Sequence, residues 1–139
     1  MTFLDTNVIV YSVDRKDPTK QSMAREIVAK AVRGQGYVIS AQVLNEFSNI
    51  ALLKLKMTIP EVRKFVAVFK LIKTVPLDCA WTDRALTIKE QYGIQFFDAL
   101  LLAAAESVGC DEILTEDLND GQEYCGIKAT NPFKPISSP

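Results

Sequence analysis

The sequence contains no histidine among its 139 residues. This absence excludes Ser-His-Asp and Cys-His catalysis, histidine-based acid–base chemistry and most zinc sites. An enzyme with this sequence has to rely on carboxylates, hydroxyls, lysine, tyrosine or cysteine. Carboxylates are hard oxygen ligands, so the metal chemistry open to this chain is that of Mg²⁺ or Mn²⁺.

Cysteine and net charge are also scarce. The chain has three widely spaced cysteines and no CxxC pair, which argues against a disulfide framework and against a thiolate zinc site.

The N-terminus lacks the pattern of a signal peptide, and the longest apolar run, residues 99–105, is too short to cross a bilayer. We therefore expect a cytoplasmic protein with no membrane contact. Because the formal net charge is only -1, any contact with nucleic acid has to use a local basic patch.

What the sequence does have is a regular alternation of short apolar segments with amphipathic ones. The pattern predicts strands at 2–4, 37–40, 74–77, 112–115 and 127–130, and helices over 19–33, from 41, over 60–73, over 80–92 and over 97–108. The apolar segment 8–11 is not assigned to a strand or to a helix. Such alternation is typical of βαβ units, which favours an α/β fold with a parallel sheet. We predict one domain over 1–139, with about 132–139 as a loosely held tail rich in proline and serine.

Four acids fall where an α/β sheet places its ligand site, beyond the carboxyl ends of its strands. Asp5 ends the first strand and Asp117 follows the strand 112–115, while Asp98 begins an apolar helix and Glu46 lies early in another. Asp98 is the oddest of them, because it follows two phenylalanines and precedes seven apolar residues, and Asp5 is harder still to explain otherwise, because a charge in an apolar run is costly to bury. The other three acids have alternative explanations. Asp98 could be a favourable acid at a helix N-terminus, Glu46 could lie on a solvated helix face, and Asp117 could be an ordinary acid in a turn. Converging carboxylates repel one another unless a cation lies between them, which favours a metal site.

The sequence motifs around these acids resemble those of the PIN-domain family, and within it the VapC-type ribonuclease toxins of bacterial toxin–antitoxin operons. The resemblance covers essentially the whole chain. The motifs follow the family's order and are Phe3-Leu4-Asp5-Thr6-Asn7-Val8-Ile9, the segment 40–47 (SAQVLNEF), the segment 97–101 (FDALL), the segment 114–118 (LTEDL) and the ending Asn131-Pro132-Phe133.

The resemblance implies a three-layer α/β/α domain with a central parallel sheet and an endoribonuclease activity. In this activity, water activated by Mg²⁺ or Mn²⁺ cleaves RNA phosphodiester bonds and leaves a 5′-phosphate and a 3′-hydroxyl. The catalytic, metal-binding acids would be Asp5, Glu46, Asp98 and Asp117. The supporting polar residues would be Asn7, Ser40 and Thr115. Glu116 and Asp120 are possible additional acids, and either could assist or replace Asp117.

The resemblance also implies an RNA substrate, a cognate antitoxin that covers the site, and self-association into a homodimer. Candidate RNA-binding cations near the first two motifs are Arg15, Lys16, Lys20, Lys54 and Lys56, although each is equally typical of solvated surface. Leu52, Leu53 and Leu55 exceed what the core stripe of their helix needs, so they could form a contact surface.

Three alternatives remain at this stage. The chain could be a PIN nuclease of RNA processing that is not a toxin. It could be a phosphatase of the haloacid-dehalogenase type, although that class needs a second aspartate two residues after the first, where this chain has Asn7. It could also be a binding module without activity, which the presence of all four acids argues against.

Overall fold

The computed structural model describes residues 1–134 and contains a six-stranded sheet. The strands are β1 (Thr2–Leu4), β2 (Tyr37–Ser40), β3 (Lys73–Val75), β4 (Glu112–Leu114), β5 (Glu123–Tyr124) and β6 (Ile127–Thr130). Their order in the sheet is β3-β2-β1-β4-β6-β5. All pairs are parallel except that of β5 with β6, so the predicted parallel sheet is confirmed.

Helices pack on this sheet and on one another, as the α/β prediction requires. They are α1 (Thr6–Tyr11), α2 (Pro18–Val32), α3 (Ala41–Leu53), α4 (Ile59–Phe69), α5 (Ala80–Tyr92) and α6 (Phe96–Ser107). The most apolar of them is α6, which buries five consecutive residues, 101–105, against its neighbours. None of the helices within residues 1–134 has the length and hydropathy needed to span a bilayer.

Two short elements differ from the sequence prediction. Segment 8–11 is part of the helix α1, because the Asp5 carboxylate accepts a hydrogen bond from the Thr6 N–H and caps a turn that apolarity alone does not specify. Strand β5 has only two residues and follows the turn at 119–121. Such a short strand has too few residues to show a period of two.

The pairing of β1 with β4 decides where the candidate site lies. Leu4 pairs with Leu114 at the carboxyl ends of the two parallel strands. The next residues, Asp5 and Thr115, therefore leave the sheet side by side, and the Asp5 N–H donates to the Leu114 carbonyl at 3.1 Å. Asp5 and Thr115, which are 110 positions apart in the sequence, are therefore neighbours at the middle of the sheet.

The C-terminal segment is anchored at its start. Phe133 is buried, and its ring meets that of Tyr11 edge-on with centroids 4.9 Å apart. The tail that we predict to be loosely held thus begins with a packed residue. Its remaining part, 135–139, lies outside the described residues.

Candidate metal centre

Three of the four predicted acids converge at the carboxyl edge of the sheet. Each of Asp5, Asp98 and Asp117 offers a carboxylate oxygen, and these atoms lie within 4.8 Å of one another. Asp5 follows β1, Asp117 follows β4, and Asp98 sits in the first turn of α6. Because β1 and β4 are neighbours, the first two acids are fixed by the sheet, whereas the packing of α6 brings in the third.

The Asp5 carboxylate is buried and firmly oriented. Its Oδ1 accepts from the Thr6 N–H at 2.6 Å, and its Oδ2 accepts from the Thr115 hydroxyl at 2.6 Å. The Thr115 hydroxyl oxygen in turn accepts from the Asp117 N–H at 3.0 Å. Thr115 therefore ties Asp5 to the backbone of Asp117.

Asn7 is a second link between these acids. Its side-chain amide donates to Asp5 Oδ2 at 3.3 Å, to Asp117 Oδ2 at 3.1 Å and to Thr115 Oγ1 at 3.4 Å. Its Oδ1 is buried and has no hydrogen-bond partner within residues 1–134. A buried oxygen without a partner, on a side chain that binds two of the three carboxylates, is suited to a cation or to a water bound by one.

Burial and mutual repulsion raise the proton affinity of the cluster. The pKa of Asp5 is raised from 3.8 to about 7, chiefly by burial and then by the charges of Asp117 and Asp98, against the lowering effect of its hydrogen bonds. The pKa of Asp98 is raised by burial and by the charges of Asp117 and Glu46. Carboxylates with raised pKa values are arranged to share a proton or a cation.

Glu46 lies outside the group of three but faces the same opening. A cavity of about 300 Å³, here called the site cavity, is lined by Asp5, Glu46, Asp98 and Asp117 among others. Gln42, one helical turn earlier in α3, donates to Glu46 Oε1 at 2.7 Å and to the Phe97 carbonyl at 3.2 Å. Gln42 therefore fixes Glu46 against the first turn of α6.

The residues present fit a divalent cation. They offer only oxygen donors, the three converging carboxylates repel one another, and Asn7 Oδ1 lacks a partner. Oxygen donors at this density are the preference of hard divalent cations. The carboxylates that would hold such an ion are Asp5, Asp98 and Asp117, with Glu46 at the edge of the site.

The two extra acids are outside the converging group, although Glu116 lines the site cavity. Glu116 accepts from the Tyr11 hydroxyl at 2.5 Å and forms an ion pair with Lys20 at 3.0 Å. Asp120 accepts from the Asn131 N–H at 2.8 Å and from Lys134 at 3.3 Å. Both carboxylates are thus engaged by other groups and neither belongs to the group that converges with Asp5.

Ser40 is also separate from the acids. Its hydroxyl accepts from the Val43 N–H at 3.4 Å and caps α3, the helix that carries Glu46. It lines a different cavity, of about 240 Å³, together with Gln42 and Trp81. Its contact with the site is therefore indirect, through the start of α3.

Four of the five predicted cations line one groove. This basic groove, of about 610 Å³, is bordered by the cations Arg15, Lys16, Arg25, Lys54 and Lys56. It shares Asp14, Lys54 and Leu55 with the site cavity, so the two are continuous. Lys20 is the exception, because it is paired with Glu116.

Sequence reasoning missed three residues of this region. Gln42 stands four residues before Glu46 on one helix, and this spacing is the signal that could have identified it. Arg25 donates to the Ser12 carbonyl at 3.1 Å and reaches the groove from α2, which only tertiary packing shows. Tyr11 lines the site cavity from the end of α1.

Taken together, the mostly parallel sheet, the flanking helices and the carboxylate cluster at its edge define an α/β protein built around a candidate divalent-cation site. The sequence model of the PIN domain matches residues 2–120. The chain therefore belongs to the PIN domain family, and the resemblance seen in the sequence is confirmed. A comparison with curated proteins finds no significant match.

Solved structures share the fold. A toxin–antitoxin complex from Klebsiella pneumoniae superposes with a TM-score of 0.67 at 16% identity, over 95% of this chain and 98% of that one. VapBC2 from Rickettsia felis, bound to a DNA fragment from its promoter, gives a TM-score of 0.65 at 18% identity, over 94% and 97%. VapC20 of Mycobacterium tuberculosis, a toxin that cleaves the sarcin–ricin loop, gives 0.62 at 15% identity, over 81% and 87%.

Proposed function

We propose that this protein is a metal-dependent endoribonuclease and the toxin of a toxin–antitoxin pair. The observation that carries the proposal is the convergence of Asp5, Asp98 and Asp117 within 4.8 Å beside a groove lined by basic side chains. Membership of the PIN domain family and the named activity of VapC20 support the choice of RNA.

The chemistry divides between the cation and the chain. A bound Mg²⁺ or Mn²⁺ supplies charge neutralisation at the phosphate and a lower pKa for a bound water. Asp5, Asp98 and Asp117 hold the ion, while Asn7 and Thr115 keep two of these carboxylates in place. Lys54 lies on the lining shared by the site cavity and the basic groove, where it attracts the phosphate backbone.

Glu46 is the proton acceptor in this proposal. Gln42 holds its Oε1, whereas its Oε2 has no hydrogen bond within residues 1–134. The attacking water gives up a proton to Glu46, its oxygen bonds to phosphorus, the bond from phosphorus to the 3′-oxygen breaks, and the departing 3′-oxygen takes up a proton from solvent. The products are a 5′-phosphate and a 3′-hydroxyl, as the family resemblance implies.

Incubation of the purified chain with single-stranded RNA tests the activity. We expect cleavage with Mg²⁺ or Mn²⁺, no cleavage with a chelator, and no cleavage by Asp98→Asn, which keeps the size of the side chain. Mapping of new 5′ ends after expression in cells would identify the target. Full activity of Asp98→Asn would overturn the proposal.

The proposal includes an antitoxin as partner, on the strength of the two neighbours described as toxin–antitoxin complexes. An apolar groove of about 450 Å³ between α2 and α4 suits an amphipathic partner segment. Its lining includes Val28, Val32, Phe65, Val68 and Phe69. Arg25 and Arg33 border it, so the partner segment would carry acidic residues beside its apolar ones. Co-expression with the neighbouring open reading frame and co-purification of a complex test this part.

A further inference from the structure

The acid cluster is the wall between two cavities. Asp98 and Asp117 line the site cavity, and they also line a second cavity of about 410 Å³, here called the turn cavity. The turn cavity is completed by Gly93, Ile94, Gln95 and Leu118, at the turn between α5 and α6. A nucleic-acid strand that passes over the acids would therefore occupy one cavity on each side of them.

The two sides differ in charge. The site cavity opens into the basic groove, where four of the five lining cations of the groove come from segments 15–16 and 54–56. Among the described residues no basic side chain lines the turn cavity, although the Lys89 ammonium lies beside it and donates to the carbonyl of Ile94 at 3.0 Å. Five cations border the groove on one side of the acids, whereas the lining on the other side has none, so a strand there would depend more on contacts to its bases than on contacts to its phosphates.

Phe97 is not part of the lining of the turn cavity, but it directly precedes Asp98, which lines both cavities. It is 64% exposed, and it is the only exposed aromatic residue within the described range 1–134. It lies in the turn of α6 that contributes Gln95 and Asp98 to the turn cavity. An exposed phenylalanine gains little from folding, whereas unstacked RNA bases bind well to aromatic rings.

The position of Phe97 is also fixed. Its ring meets that of Phe96 at an interplanar angle of 70°, with centroids 5.5 Å apart, and most of Phe97 remains exposed. Its backbone carbonyl accepts from Gln42, the residue that orients Glu46. The backbone of Phe97 is therefore tied to the helix that carries Glu46, and its ring packs against one aromatic neighbour.

We propose that Phe97 is a stacking platform for one base of the RNA, on the side of the cleaved bond that faces the turn cavity. The proposal rests on the proposed ribonuclease function. In this arrangement the basic groove binds phosphates of the RNA and Phe97 binds one of its bases. Because stacking tolerates every base, Phe97 contributes affinity and register with little selectivity for sequence.

The test compares Phe97→Ala, Phe97→Trp and the control Leu86→Ala, whose side chain on α5 is similarly exposed at 54%. The substrate is a short single-stranded RNA with one cleavage site, intact or with one abasic nucleotide beside that site. From the range for base stacking we expect Phe97→Ala to raise KM about 5- to 100-fold with kcat nearly unchanged. Phe97→Trp should restore KM, and Leu86→Ala should match the wild type.

The abasic substrates identify the base. With the wild-type protein, one abasic position should weaken RNA binding by the same factor as Phe97→Ala does. With Phe97→Ala, the same abasic position should cause no further loss of affinity. The affinities are repeated in the Asp98→Asn background by fluorescence anisotropy, so that binding is measured without cleavage. Additive effects at every position would overturn the stacking role.

Two further outcomes separate this proposal from others. If the wild type cleaves RNA and Phe97→Ala behaves identically, the stacking proposal fails and the nuclease proposal stands. If the wild type neither cleaves nor binds RNA, both fail. If Phe97→Ala turns a dimer into a monomer in light scattering and abasic substitution has no effect, Phe97 belongs to a contact between two copies and the proposal is overturned.

Discussion

The hydroxyl of Thr115 donates to the buried Oδ2 of Asp5 at 2.6 Å and accepts from the N–H of Asp117 at 3.0 Å. One side chain therefore serves as both donor and acceptor for the two acids that leave neighbouring strands. Valine has nearly the same shape but can do neither.

We expect Thr115→Val to lower the free energy of unfolding by about 1–3 kcal/mol, because it removes a hydrogen bond to a buried carboxyl and leaves a backbone N–H without its acceptor. Thr115→Ser keeps the hydroxyl and should lose much less. Urea denaturation of both variants measures the difference. Equal stability of Thr115→Val and the wild type would show that the link is energetically unimportant.

The raised pKa of Asp5 makes stability depend on pH in the absence of divalent cations. Its folded-state pKa of about 7 exceeds the ordinary value of 3.8, so the folded state binds the proton more tightly than the unfolded state does. The free energy of unfolding should therefore fall as pH rises from about 4 to about 7, and Asp98 acts in the same direction.

Thermal unfolding at pH 5 and pH 8 with a chelator measures this effect, and the loss should be smaller in Asp5→Asn. Addition of Mg²⁺ at pH 8 should restore stability to the wild type, because the cation favours the ionised carboxylates. An identical pH dependence in Asp5→Asn would contradict the assignment to Asp5.

Much of the fold follows from the sequence, because the long amphipathic helices have a clear period. The short elements do not. An apolar segment such as 8–11 could form either a strand or a helix. In the structure it is part of a helix whose first turn is capped by Asp5. The place of Glu46 also depends on tertiary packing, because a solvated helix face and a site wall share one sequence pattern.

The candidate site could be predicted in part. Asp5 was identifiable from the cost of a charge in an apolar run, and its neighbour Thr115 came from the family motif. The separation of Asp120 from the acid cluster could not be predicted, because Asp117 and Asp120 are near each other in the sequence. Only the fold shows that Asn7 donates to Asp117 whereas the Asn131 N–H donates to Asp120.

Those partners give a matched pair of variants. Asp117→Asn should weaken binding of Mn²⁺ about tenfold or more, because it removes one of three converging carboxylates. Asp120→Asn should leave the affinity unchanged, since that carboxylate is engaged by Asn131 and Lys134. Calorimetric titration with Mn²⁺ compares the two. The reverse order would reassign the fourth acid of the family motif to Asp120.

The basic groove predicts a salt effect. Lys54→Glu should weaken RNA binding and reduce the slope of log affinity against log salt by about 1, because one phosphate contact is lost. Lys30→Glu carries the same charge change on α2, away from the lining of the groove, and is the control. Anisotropy measured between low and moderate salt gives both slopes. Equal slopes for the two variants would remove Lys54 from the RNA path.

The pairing of Leu4 with Leu114 has a consequence for synthesis. The first acid emerges from the ribosome almost at once, but its partners at 98 and 117 follow only when most of the chain has been made. A nascent or truncated chain that ends directly before β4 has Asp5 and Asp98 but lacks Thr115 and Asp117. The proposed nuclease therefore has its full set of converging carboxylates only late in its own synthesis, so a truncated copy should not cleave the messenger RNA that encodes it.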